Sequence, residues 1–134
     1  MIPSDDDIKA AVTAALSHRQ AAAGSPEFDT LVQFVRGRMR MAIDSLPLDQ
    51  VAQKVTDLFL EGHRDMPPEG HRPQLRALVR SACTTVGAPV PPDAAVETLV
   101  NLAVGWMADQ SLPTLPGGRA VVTHNIVGLY LAGA

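Results

Sequence analysis

The chain has 134 residues, 46% of them apolar and 19% charged, and carries a net charge of −3. That length fits one domain burying roughly two-thirds of its unfolded surface, and the composition excludes a disordered polyelectrolyte. An acidic balance and only five aromatic residues argue against phosphate-backbone binding or base stacking as the main activity.

Proline and glycine divide the chain into segments of helical period. In the first, 4–24, Ser4 is a cap candidate and Asp5, Asp6 and Asp7 sit at the positive end of the helix dipole. Ile8, Ala11, Val12, Ala15 and Leu16 form its apolar stripe, its Ala-rich face suits close approach to a neighbour, and Gly24 is the expected stop. The second, 25–47, opens with Ser25 as cap and Pro26 at the first helical position. Its stripe runs through Phe28, Leu31, Val32, Val35, Met39, Ala42, Ile43 and Leu46, while Phe34 and Met41 lie nearly opposite with Gly37 between them. A helix with two apolar faces is either central or shared with a partner.

The third segment, 48–62, has Asp49 as a cap candidate, a stripe of Val51, Ala52, Val55, Leu58 and Phe59, and Gly62 as the expected left-handed terminator. The fourth, 73–87, aligns Leu75, Leu78, Val79, Ala82 and Val86 and stops at Gly87, before an Ala-Pro-Val-Pro-Pro stretch that cannot be helix interior. The fifth, 92–110, begins with acids at Asp93 and Glu97 and is apolar over about half its circumference, from Leu102 and Trp106 round to Val100 and Val104, as a buried helix would be. The last, 119–134, is apolar on nearly all sides apart from Thr123, His124 and Asn125; it reads as helix, with a strand left open by its β-branched residues. The expected fold is all-α: a compact bundle of five to six helices joined by short Pro/Gly loops, forming a single helical domain over 1–134.

The densest cluster of polar chemistry is the doubled Glu-Gly-His-Arg of residues 61–64 and 69–72. His63 and His71, with Glu61, Asp65 or Glu69, are the only metal-site candidates, with His18 or His124 able to join through folding. Paired ligating histidines usually owe their alignment to a helix, at i and i+4; these stand eight apart across Pro67–Pro68, and every residue is equally accounted for by a helix–turn–helix junction. No metal and no cofactor is therefore expected. Arg72, Arg76 and Arg80, spaced by four, form one ridge which, with Arg36, Arg38 and Arg40, could bind an acidic partner; otherwise it is a solvated face. Cys83, the only cysteine, excludes an intrachain disulfide and borders an apolar stripe, where an inert buried thiol is expected.

No phosphate-loop, dinucleotide, zinc-protease or nucleophile-elbow motif is present, and no catalytic residue is assigned. The acidic start lacks the basic and apolar pattern of a secretory signal, and residues 120–134 as a helix would reach only about 22 Å, short of a bilayer core. No membrane partner and a cytoplasmic location follow as expectations. The leading functional expectation is a non-enzymatic interaction or adaptor module that binds a protein partner and self-associates as a homo-oligomer through surplus apolar faces, with Phe34, Met41, Leu129, Tyr130 and the Arg72, Arg76, Arg80 ridge as contacts. An alternative is a sensor or carrier of a small apolar ligand, its pocket lined by Trp106, Met107, His124 and Tyr130. A third, disfavoured by charge, is weak nucleic-acid contact through the arginine ridge.

Overall fold

A computed structural model describes residues 3–41, 46–64, 71–110 and 116–134, which form six α-helices and, among these residues, no strand. The helix α1 (Asp5–His18) starts where the Ser4 hydroxyl accepts a hydrogen bond from the Asp7 amide, with three acids in its first turn. Its stop is not Gly24 but Gln20, which adopts a left-handed φ of 54°. The amides of Gln20 and Ala21 reach back to the carbonyls of Ser17 and Leu16, so the terminating hydrogen bonds form on a residue that has a β-carbon. Gly24 belongs instead to the next element: its carbonyl accepts from Phe28 at the start of α2 (Ser25–Met41).

Asp49 sits within the first turn of α3 (Leu48–Arg64), whose first carbonyl acceptor is Pro47. Gly62 does not end this helix; it lies inside it, buried. By contrast Gly87, at φ 76°, does terminate α4 (His71–Thr85), with the Gly87 and Ala88 amides bonded to Thr84 and Cys83. The fifth helix, α5 (Asp93–Gln110), begins at the Pro92 carbonyl, and the last segment is helical throughout as α6 (Pro116–Ala132). No helix of the described residues is long and apolar enough to cross a membrane.

The residues cluster into two compact units, Met1–Asp57 with Leu129–Ala134, and Leu58–Gly128, so α3 and α6 each contribute to both. In the first unit α1 packs on α2, burying Ile8, Val12, Ala15 and Leu16 with Leu31, Val32, Phe34 and Val35. More than half the circumference of α2 is buried; of its second face Phe34 is completely buried, whereas Met41 is 59% exposed. In the second unit α4 packs on α5. Between residues 95 and 107 only Glu97 and Trp106 are half-buried and all others are buried, so α5 is covered on every side.

Each unit contains one helix crossing built on a pair of glycines. In the second unit a β-carbon at Gly62 would overlap the Asn101 carbonyl oxygen and lie 2.9 Å from the Gly105 nitrogen; one at Gly105 would overlap the Leu58 carbonyl oxygen. In the first, a β-carbon at Gly37 would overlap the Leu129 carbonyl oxygen, and one at Gly133 that of Gln33. The pairing rule is the same in both: each glycine lies against the carbonyl of the residue four before the other glycine. Because the index rises on one helix as it falls on the other, both crossings are antiparallel. Bare glycine lets the backbones approach and sets Cα–H groups toward facing carbonyls, a weak favourable contact.

Candidate functional site

The arginine ridge of α4 is matched by acids on α5. Arg72 is 7% exposed; its Nη2 donates to the Asn101 side-chain oxygen at 2.7 Å and to the Gly62 carbonyl at 3.1 Å, and its Nη1 reaches Glu97 at 3.4 Å. Arg76 pairs with Glu97 and Arg80 with Asp93, at 3.3 Å in the second case. Three arginines spaced by four thus meet two acids spaced by four. Sequence reading found both sets, but treated Asp93 and Glu97 only as a helix start. The ridge has its acidic counterpart inside the unit. Arg72 is also the polar tie at the glycine crossing, since Gly62 and Asn101 are the residues in closest approach there. The Arg72 Nε has no hydrogen-bond partner, so this tie leaves one buried donor unsatisfied.

The arginines of α2 serve the first unit. Arg36 Nη1 donates to the Gly133 carbonyl at 2.7 Å, with its Nε on Asp5 at 3.0 Å. Arg40 Nη1 donates to the main-chain oxygens of Ala132 and Ala134, and Gln33 to that of Tyr130 at 2.8 Å. Together they bond main-chain oxygens at and just beyond the end of α6, of which that of Tyr130 also accepts from the Gly133 amide. Arg38 is buried. In this way the Arg-Gly-Arg-Met-Arg run holds a helix end in place, and its Gly37 is what lets that end come close.

Of the other expected partner contacts, Phe34 and Leu129 are buried, Tyr130 is half-buried and Met41 is 59% exposed. Phe34 and Leu129 are core residues and offer no free face. The proposed pocket residues are distributed differently: Met107 is buried, Trp106 and Tyr130 are half-buried, and His124 is exposed. The buried polar residue of that segment is Thr123, whose hydroxyl has no hydrogen-bond partner. The side chains of His63 and His71, and residues 65–70 between them, lie outside the described residues; no group of three or more His, Cys, Asp or Glu suited to a metal occurs among those described. Cys83 is fully buried, and burial pushes its thiol pKa up.

A groove of about 360 Å³ in the first unit runs between Ala11, Ala14 and Ala15 of α1, with His18 at its end, and Asp49, Gln50 and Gln53 of α3. Beside it Arg19 pairs with Asp57 at 2.6 Å. None of the expected pocket residues lines it.

The most unusual surface is on α6. Ala120, Val121, His124, Asn125 and Gly128 are exposed on one side of the helix, and no Asp, Glu, Lys or Arg occurs from Ala120 onward. Val121 is 59% exposed. A β-carbon at Gly128 would meet nothing within 4 Å, and its φ is not positive. Sequence reading passed over this face because Val121 and Gly128 look like two more small apolar positions in a helix apolar all round.

Comparison of the chain with protein-family models, curated proteins and solved structures finds no match.

Proposed function

We propose that this chain is a non-enzymatic helical interaction module, and that its docking surface is the exposed side of α6, which receives a helix of a protein partner. Gly128 carries this reading. Exposed glycine inside a helix costs about 1 kcal/mol relative to alanine, and among the described residues no atom lies within 4 Å of where its β-carbon would stand. Gly37, Gly62, Gly105 and Gly133 each admit a neighbouring backbone; Gly128 presents the same notch outward. The absence of charge around it matches the composition of interface cores, from which charged residues are depleted. The arginine ridge, engaged with Glu97 and Asp93, acts in this reading as an internal lock. A reducing cytoplasm suits a chain whose single thiol is buried and free.

The test is a photo-crosslinking amino acid placed at Val121 of the full chain in cells, with Lys54, exposed on α3, as the control position. A protein adduct formed from position 121 and not from 54 is expected. No adduct from 121 refutes the docking face.

A further inference from the structure

We infer that the proline-rich connection between α4 and α5 is a preformed polyproline II ligand for a partner domain whose groove is walled by aromatic side chains. Ala-Pro-Val-Pro-Pro occupies residues 88–92, outside helix and strand. Its three pyrrolidine rings lock φ at about −65°, and Ala88, Val90 and Pro91, each followed by proline, are held to extended backbone. All five residues are thus steered toward one conformation, which turns once every three residues. Their exposure follows that period: Ala88 and Pro91 are half-buried, while Pro89, Val90 and Pro92 are exposed. One edge leans on the second unit and two edges stay open. Pro89 and Pro92 fall one turn apart, about 9 Å, on one open edge. Val90, 48% exposed, lies on the other.

The chemistry of these edges selects the occupant. From Pro89 to Pro92 only Val90 carries a main-chain N–H, and among the described residues the carbonyls of Pro89, Val90 and Pro91 accept no main-chain hydrogen bond. A partner strand would find too few donors for a ladder. What is offered is a ridge of proline rings beside unpaired acceptors. A groove walled by Trp and Tyr answers both features, because the rings pack between aromatic faces while indole and phenol groups donate to the carbonyls. The packed pair of α4 and α5 fixes both ends: the Ala88 amide is bonded to the Cys83 carbonyl, and the Val96 amide to that of Pro92. The segment therefore binds without the ordering cost that a loose proline-rich tail pays.

The test places a photo-crosslinking amino acid at Val90 of the full chain in cells and maps the adduct by mass spectrometry. An adduct within a Trp- and Tyr-walled groove of an identified partner domain is expected. Free proline decamer in excess, added to the lysate before irradiation, should suppress it, and Pro89→Ala with Pro92→Ala should lower its yield by about tenfold or more. Circular dichroism checks that the double variant keeps its helices; the decamer needs no substitution and decides the matter if they are lost. No adduct from position 90, an adduct that survives the decamer or a folded double variant, or one mapped to a surface without aromatic walls overturns the inference. Position 121 is not involved, so the α6 face stands or falls separately.

Discussion

Gly62→Ala isolates the principle on which the helix crossings rest. In a free helix the substitution would add about 1 kcal/mol of stability. Here the new methyl group overlaps the Asn101 carbonyl oxygen and lies 2.9 Å from the Gly105 nitrogen. Both obstacles are main chain, so no rotamer relieves the clash and α3 and α5 must part by more than an ångström. A gap of that size forfeits about a quarter to a half of each dispersion contact along the seam, where Leu58, Phe59 and Leu102 are buried. It also lengthens the two hydrogen bonds from Arg72 Nη2, whose acceptors belong to Gly62 and Asn101. Overpacking of a core ordinarily costs about 1–3 kcal/mol, and backbone obstacles place this case at the upper end. After the propensity gain, a net loss of about 2 kcal/mol is expected. Urea unfolding followed by circular dichroism would show a lower midpoint at unchanged slope. Gly105→Ala demands the same separation, so the double variant should lose less than the two single losses combined. A midpoint that stays in place or rises would mean that the close approach does not exist.

Arg72→Ala should cost about 3 kcal/mol, because it strips a buried guanidinium from the Asn101 side chain and the Gly62 carbonyl; Arg80→Ala, whose partner Asp93 is largely exposed, should cost about 0.5 kcal/mol or less. Equal losses in urea unfolding would contradict the buried-tie role of Arg72. Gln20→Gly should raise stability by about 0.5–1 kcal/mol by removing a β-carbon from a left-handed position, and a loss on thermal unfolding would count against that reading of the α1 stop. Native Cys83 should react with iodoacetamide far more slowly than the unfolded chain, since burial both hides the thiol and disfavours its thiolate. Its folded pKa is raised, so the stability tied to the neutral thiol is fully present below about pH 8.5 and is lost as pH climbs beyond it; Cys83→Ala should flatten that alkaline decline.

The helices were legible because period and punctuation are local. Ser4, Pro47 and Pro92 stand within a residue of where α1, α3 and α5 begin, and Gly87 ends α4 as its φ requires. Glycine was misread where its use is tertiary. A left-handed terminator and a helix notch are both written as Gly, and only the partner backbone distinguishes Gly87 from Gly62. The same limit hid the ion-pair comb: Arg72, Arg76 and Arg80 advertise a ridge, but nothing local says that Asp93 and Glu97 will face it across an interhelical turn. Phe34 shows the converse. Its place opposite the main stripe of α2 was visible, yet that its side chain is fully buried within the chain, while Met41 on the same face stays exposed, depends on packing that no local pattern records.

The most direct measurement is the unfolding free energy of Gly128→Ala, taken at about 1 µM, where any weak association is dissociated. With open space around the position, alanine should raise stability by about 0.5–1 kcal/mol, opposite in sign to the same substitution at Gly37, Gly62, Gly105 and Gly133. A loss of stability at Gly128 would show that this glycine already has a use inside the chain, leaving α6 without a vacant notch for a second helix.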